Sequence, residues 1–312
     1  MTHSSASEFR EKLISLFGSR VRENERLSKH TTFGIGGPAD LFVEVRTVEE
    51  MVAAVNLCEE FAAEYFMLGG GSNLLVSDDG YRGTVIKSKV DHFLRDRNNV
   101  TVGSGHNLES FVDRVCSLGL GGIEMLAGIK GTVGGAIYGN AGAYGEAISD
   151  CFVSANILKP GGVPRVEKKN YFEFSYRNSI LKRVDEVVLE VNFQFEDGSV
   201  EHLLKRKREI LEDRERKHPK TDCSAGCFFK NIEKSDEQYG KLSAGSLLEQ
   251  VGAKEIKIGK AAVFPGHANI LVNLGDAKAE DIKELAMILK NRVKDRFGYI
   301  LEEEVTYLGN FS

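Results

Sequence analysis

The chain has no tryptophan among its 312 residues, an absence that excludes nothing. Its other shortages say more. No apolar run approaches the roughly 20 residues that a membrane-spanning helix needs. The first residues, with Glu8, Arg10, Glu11 and Lys12 among a few apolar ones, lack the uninterrupted core of a signal peptide and point to a short amphipathic helix. Cysteine is sparse and odd in number at five, so reduced thiols and a cytoplasmic protein are expected in place of a disulfide framework. Positive charge is not in excess: 41 Lys and Arg against 46 Asp and Glu leave a net charge of −5, which argues against a general nucleic-acid binder. The basic stretch 205–220 is interrupted by Glu209, Glu212, Asp213 and Glu215 and reads as a solvated helix face. No G-x-G-x-x-G joins a strand to a helix, so a Rossmann dinucleotide site has no support.

Glycine is concentrated instead in two places. Leu68-Gly69-Gly70-Gly71-Ser72-Asn73-Leu74-Leu75 reads as strand, glycine turn, strand. Three glycines permit positive φ and close approach, so successive N–H groups can converge on a phosphate or pyrophosphate, with Ser72 and Asn73 adding side-chain hydrogen bonds. For an isolated triplet a tight β-turn would be the better reading. The second cluster, from Gly128 through Gly131, Thr132, Gly134, Gly135 and Ala136 to Gly139, Asn140, Gly142 and Gly145, shifts the balance. Glycine among apolar residues, without low-complexity polarity, suits backbone laid against a long flat ligand.

The periodicities alternate between strand and helix without solenoid-length repeats. Strands are expected at 41–46, 65–68, 74–76, 84–86, from Val100, and at 151–158, 186–195, 270–272 and 304–308. Helices are expected from Thr47, with Glu50 completing a capping box, and at 108–118, 200–217, 246–251 and 280–297. The class is α+β. Three domains are expected, at 1–90, 91–218 and 219–302, with a terminal strand in 303–312 returning to the first.

Three segments carry candidate chemistry. In Phe174-Ser175-Tyr176-Arg177-Asn178-Ser179 a guanidinium stays charged and presents a rigid fork to a carboxylate or developing oxyanion; the alternative is a surface arginine stacked on Tyr176. In Ser224-Ala225-Gly226-Cys227-Phe228-Phe229-Lys230-Asn231 a thiol with an ordinary pKa near ~8.5 is a usable proton donor. A buried inert cysteine is the alternative, and Cys223, Cys227 and His218 match zinc-ligand spacing poorly. Glu302, Glu303 and Glu304 read as a solvated acidic loop or, if one is buried near an arginine, as a partly protonated acid.

Taken in order, Thr32-Phe33-Gly34-Ile35-Gly36-Gly37-Pro38-Ala39-Asp40, the two glycine clusters, Tyr176-Arg177-Asn178-Ser179, the 224–231 segment, His267-Ala268-Asn269 and Arg296-Phe297-Gly298 resemble the UDP-N-acetylenolpyruvoylglucosamine reductase (MurB) family of flavoenzymes. The resemblance implies a two-domain vanillyl-alcohol-oxidase-type FAD-binding fold plus a smaller α+β substrate-binding domain. The short spacing from Cys227 to Gly259 resembles the branch with a reduced third domain. It implies tightly but non-covalently bound FAD, its pyrophosphate on Gly69, Gly70, Gly71, Ser72 and Asn73 and its flavin lined by Gly131, Thr132, Gly135, Ala136, Asn140 and Gly142. NADPH would reduce the flavin, and a hydride would pass from N5 to C3 of UDP-N-acetylglucosamine enolpyruvate, both ligands using one pocket in turn. Arg177 and Glu304 would hold the resulting charge, and position 227 would protonate C2. Tyr176, Lys230, Asn231, His267 and Asn269 would face the substrate. A cytoplasmic monomer with no metal, nucleic-acid or membrane partner is expected. Most members resemble one another in carrying serine where this chain has Cys227. The rival readings are an oxygen-reducing FAD oxidase and a zinc or thiol-switch protein built on Cys223 and Cys227.

Overall fold

The computed structural model describes residues 3–221, 223–236 and 240–311; Met1, Thr2 and Ser312, the ends of the expected domain ranges, lie outside the described residues. Packing divides the chain into two units that are not consecutive. One takes 1–25, 39–70 and 82–211, the other 26–38, 71–81 and 212–312.

The first unit holds two sheets with separate cores. A four-stranded sheet, apart from a few end residues, orders strands Val21–Arg26, Pro38–Val45, Tyr81–Ser88 and Tyr65–Leu68. Tyr65–Leu68 runs parallel to 84–87, as a strand reached through a helical crossover can. Helices α1 (His3–Phe17) and α2 (Val48–Glu60) supply the apolar faces, with Phe9, Leu13, Met51 and Val55 buried against Val43, Val45 and Ile86. The start of α2 departs from the expected capping box in one respect. Thr47 Oγ1 accepts the Glu50 N–H at 3.2 Å, but the Glu50 carboxylate reaches the Arg46 N–H at 2.7 Å and pairs with Arg20 at 2.6 Å. That guanidinium, aided by the backbone bond, holds the Glu50 carboxyl below its ordinary value.

The second sheet is antiparallel throughout, in the order Arg165–Lys168, Phe152–Leu158, Val187–Gln194, Asn99–Gly103, Phe93–Asp96. Its core is aromatic, Phe111, Phe152, Phe172 and Phe193 lying under α3 (Leu108–Ser117), the short α4 (Val133–Gly139) and α5 (Val200–Lys217). Asn107 caps α3, its Oδ1 accepting the Ser110 N–H at 2.9 Å. Helix α4 lies inside the second glycine cluster, a stretch expected to lay backbone against a long flat ligand and for which no helix was expected. Thr132 Oγ1 caps it by accepting the Gly135 N–H at 3.3 Å, and Asn140 ends it in the left-handed region at φ 45°.

In the second unit, α6 (Ala244–Gln250) and the long α7 (Ala279–Phe297) cover a three-stranded antiparallel sheet of Lys257–Ile258, Ala261–Val263 and Leu271–Asn273. The N-terminal strips join this unit through main-chain pairing and one threonine hydroxyl. Thr306–Leu308 pairs in parallel with Leu74–Val76, Gly37 N–H donates to Ser77 O at 2.9 Å, and Thr32 Oγ1 donates to Ser224 O at 2.6 Å. Asp78 accepts the first N–H of α7 on both carboxylate oxygens, at 2.9 and 3.1 Å. The acid thus lies at the positive end of the helix dipole.

Candidate functional site

In the first unit the two glycine clusters meet. A Cβ on Gly69 would lie 2.6 Å from Thr132 Oγ1, and one on Gly70 would lie 2.6 Å from Gly131 Cα. Gly70 therefore rests directly on the Gly131 backbone and Gly69 on the Thr132 side chain, so that glycine at 69 and 70 is a packing requirement. The boundary between the units falls immediately after this contact, between Gly70 and Gly71. Gly71, at φ 65°, belongs to the second unit, where its Cβ would strike His30 O at 2.0 Å.

Helix α4 presents a different kind of glycine. Gly139 has nothing within 4 Å of its would-be Cβ, and Gly135, four residues earlier on the same face, meets only Thr132 Oγ1 at 3.4 Å. This helix face is bare and open, so a flat group can lie against the backbone itself. Asn140 follows it, 7% exposed. Its Nδ2 donates to Ser175 O at 2.9 Å, while its Oδ1 is buried with no hydrogen-bond partner. An acceptor left so is costly unless a ligand donor meets it. A bare glycine face and a buried unmatched acceptor together fit a large planar group with polar edges, such as the flavin of FAD.

Arg177 is built onto the same piece of structure. Ser175 and Asn178 exchange N–H···O bonds of 3.1 Å, closing a two-residue turn with Tyr176 and Arg177 at its tip. Arg177 takes φ 54°, a conformation that costs a non-glycine residue about 1 kcal/mol or more and is sustained by its surroundings. Its Nη1 donates to Gly142 O at 2.8 Å, Lys182 Nζ donates to its carbonyl at 2.8 Å, and Ser179 Oγ donates to Tyr138 O at 2.8 Å. Ser179 and Lys182 were not assigned from sequence; Ser179 lies within the recognisable Tyr-Arg-Asn-Ser motif, whereas Lys182 carries no local signal.

In the second unit, 227–230 forms a rib between two other segments. On one side Cys227 bridges Ile270, and Phe228 N–H donates to Asn269 O at 2.8 Å. On the other, Phe229 bridges Glu303, Glu304 N–H donates to Phe228 O at 2.8 Å, and Lys230 N–H donates to Glu302 O at 2.8 Å. Cys227 and Glu304 are therefore carried on adjacent backbone. The three glutamates separate by partner. Glu302 pairs with Lys230, and Glu303 pairs with Lys290 at 3.0 Å. Asn231 Oδ1 accepts the Ala244 N–H at 3.1 Å, at the start of α6. Asn73 Nδ2 donates to Glu304 O at 2.9 Å.

Two expected substrate contacts, His267 and Asn269, also lie in this unit. His267 Nδ1 accepts the Asn269 N–H at 3.2 Å, and burial, aided by Lys217 and Lys254, lowers the imidazole below its ordinary value. Asn269 is 2% exposed, and both ends of its amide are bonded to Phe229. None of the five cysteines is in a disulfide. Burial pushes the thiols of Cys58 and Cys151 up to about 12 and that of Cys116 up to about 11. For the zinc reading, no group of three or more His, Cys, Asp or Glu side chains gathers among the described residues.

Residues 39–165 match the family model described as an FAD binding domain, and residues 218–308 match the UDP-N-acetylenolpyruvoylglucosamine reductase, C-terminal domain. Fold and matches together define an FAD-dependent oxidoreductase with the α+β, vanillyl-alcohol-oxidase-type fold and an added C-terminal domain. The chain is 38% identical over 296 residues to UDP-N-acetylenolpyruvoylglucosamine reductase of Lachnoclostridium phytofermentans, covering 93% of both. It is 39% identical over 303 residues to that of Solibacter usitatus, covering 93% of this chain and 97% of the relative. The crystal structure of the Thermus caldophilus reductase superposes with a TM-score of 0.78 at 34% identity, covering 93% of this chain and 100% of that one. The chain belongs to the UDP-N-acetylenolpyruvoylglucosamine reductase family.

Proposed function

We propose that the chain reduces the enolpyruvyl ether of UDP-N-acetylglucosamine enolpyruvate to UDP-N-acetylmuramate with NADPH, a step in peptidoglycan precursor synthesis. The observation that carries the reading is the rib that sets a thiol, Cys227, and a carboxylate, Glu304, on adjacent strands of backbone in a chain of this family. FAD held there would supply the redox chemistry, carrying a hydride from NADPH to C3 of the enolpyruvyl group.

The residues of the chain do the rest. Gly69 to Asn73 bind the pyrophosphate, and the bare face of α4 with Asn140 takes the flavin. Hydride arrival at C3 leaves negative charge on C2 and the adjoining carboxylate, which fixed donors must hold. Arg177 supplies a charged fork, and Glu304 is assigned to the same developing charge. The Cys227 Sγ–H bond breaks as its proton forms the new C–H bond at C2, and the thiolate regains a proton from solvent. The sum is substrate, NADPH and one proton giving product and NADP⁺. Tyr176, Lys230, Asn231 and His267 are assigned to the substrate side, where a carboxylate and a diphosphate need cationic and amide partners; Asn269, with both amide ends bonded to Phe229, is not. A monomeric cytoplasmic protein completes the proposal.

The test is turnover. NADPH oxidation that requires the enolpyruvyl substrate and yields a product heavier by two hydrogens supports the reading. NADPH oxidation independent of substrate, with matching oxygen uptake, would favour an oxidase instead.

A further inference from the structure

The 227–230 rib is an incomplete sheet, and one side chain completes it. Phe228 N–H reaches Asn269 O at 2.8 Å, but past that point the 267–270 segment turns: Ile270 N–H returns to His267 O at 3.0 Å. Its main chain therefore has nothing to offer Phe229. The Asn269 side chain fills the gap. Its Oδ1 accepts the Phe229 N–H at 2.9 Å, and its Nδ2 donates to Phe229 O at 2.8 Å. An amide side chain here copies the donor–acceptor pair of a neighbouring strand, because Asn and Gln carry a carbonyl acceptor and an N–H donor on one planar group. The clamp is buried, Asn269 being 2% and Phe229 1% exposed.

What the clamp fixes matters to the chemistry. Phe229 lies two residues from Cys227 and bridges Glu303, while the preceding carbonyl, Phe228 O, accepts the Glu304 N–H at 2.8 Å. The two groups that must meet one carbon, the Cys227 thiol and the Glu304 carboxyl, thus take their relative position from backbone that Asn269 locks.

We propose that Asn269 is a positioning residue for the protonation step, acting through the Phe229 main chain and not by touching substrate. The proposal rests on the reading of Cys227 and Glu304 given above. It predicts an effect confined to one half of the catalytic cycle. A displacement of about 1 Å at a reacting group can cost about a hundredfold in rate, whereas flavin reduction by NADPH uses neither Cys227 nor Glu304.

The experiment follows both half-reactions anaerobically in the FAD-loaded protein, in H₂O and D₂O, for wild type, Asn269→Asp and Asn269→Ala. Asn269→Asp is isosteric, keeps the acceptor for Phe229 N–H and turns the donor toward Phe229 O into a second acceptor. The expected result is wild-type bleaching by NADPH with reoxidation by UDP-N-acetylglucosamine enolpyruvate slowed about tenfold to a hundredfold. The solvent isotope effect on reoxidation should rise in the variants as proton delivery becomes slower. Equal slowing of both half-reactions, unchanged reoxidation, or failure of both variants to fold would overturn the proposal, leaving Asn269 as structural or idle. Failure of the parent reading is separately visible, because the wild-type protein itself would then not reoxidise.

Discussion

At the scale of single residues the account turns on Cys227. A thiol is a far stronger acid than an alcohol, so either can deliver a proton, but an alanine cannot. Cys227→Ser is expected to retain measurable turnover, and Cys227→Ala to lose it for want of the proton at C2, with product formation by mass spectrometry as the readout. Thiol reagents should report the same residue. Cys58, Cys116 and Cys151 are held protonated by burial, and a protonated thiol is a poor nucleophile. Brief iodoacetamide treatment is expected to label Cys223 and Cys227 first, with activity lost in step with modification at Cys227 as mapped by peptide mass. Arg177→Lys keeps the charge but gives up the fork and the bond to Gly142 O. Reoxidation by substrate should fall about a hundredfold or more, with flavin reduction preserved.

At the scale of elements, α4 offers a test that separates packing from binding. Gly70→Ala would drive a methyl into Gly131 Cα at 2.6 Å, and forced overpacking of this kind costs about 1–3 kcal/mol. Gly135→Ala meets only Thr132 Oγ1 at 3.4 Å and removes a glycine from a helix, worth about 0.5–1 kcal/mol of stability. Gly70→Ala should thus lower the Tm of the apoprotein, whereas Gly135→Ala should raise it and yet weaken FAD retention, measured by flavin release on dilution.

The same helix shows where sequence reading ran out. Val133-Gly134-Gly135-Ala136-Ile137-Tyr138-Gly139 contains three glycines, each costing about 1 kcal/mol of helix propensity, so the glycine density was legible and the helix was not. It is sustained instead by the Thr132 cap and by Val133 and Ile137 in the core. By contrast α2, α3 and α7 announce themselves through caps and apolar spacing and α5 through its interrupted charge run, and the bounds of α3, α5 and α7 lie within a residue of expectation. Strand Val21–Arg26 went unread because five of its six residues are polar and none is buried. The candidate residues followed a similar rule. Arg177, Cys227 and Glu304 stand in recognisable motifs, but the clamp of Asn269 on Phe229 uses main chain 40 residues away, for which no local pattern exists.

At the scale of the whole molecule, pH and cofactor each act on stability. Burial lowers His267 below its ordinary 6.5, so from that value down to the lowered one the unfolded chain binds more protons than the folded chain. Stability should therefore fall as pH drops through that window and be regained as pH rises. Thermal melts across it should show a flatter profile for His267→Gln. FAD bound only by the folded protein adds about 4 kcal/mol at a thousandfold excess over Kd, so the holoprotein should melt well above the apoprotein, with a Tm that climbs with FAD concentration. No helix among the described residues is long and apolar enough to cross a membrane.

The most direct test of the central claim is anaerobic flavin absorbance through one cycle. The purified FAD-loaded protein is reduced with NADPH, and UDP-N-acetylglucosamine enolpyruvate is then added. The account predicts bleaching by NADPH and recovery of the oxidised spectrum on adding the enolpyruvyl sugar, with one product formed per flavin. Bleaching without recovery would contradict the substrate assignment and leave the FAD-binding fold standing. A protein that takes up no FAD at all would contradict the account from the glycine clusters onward.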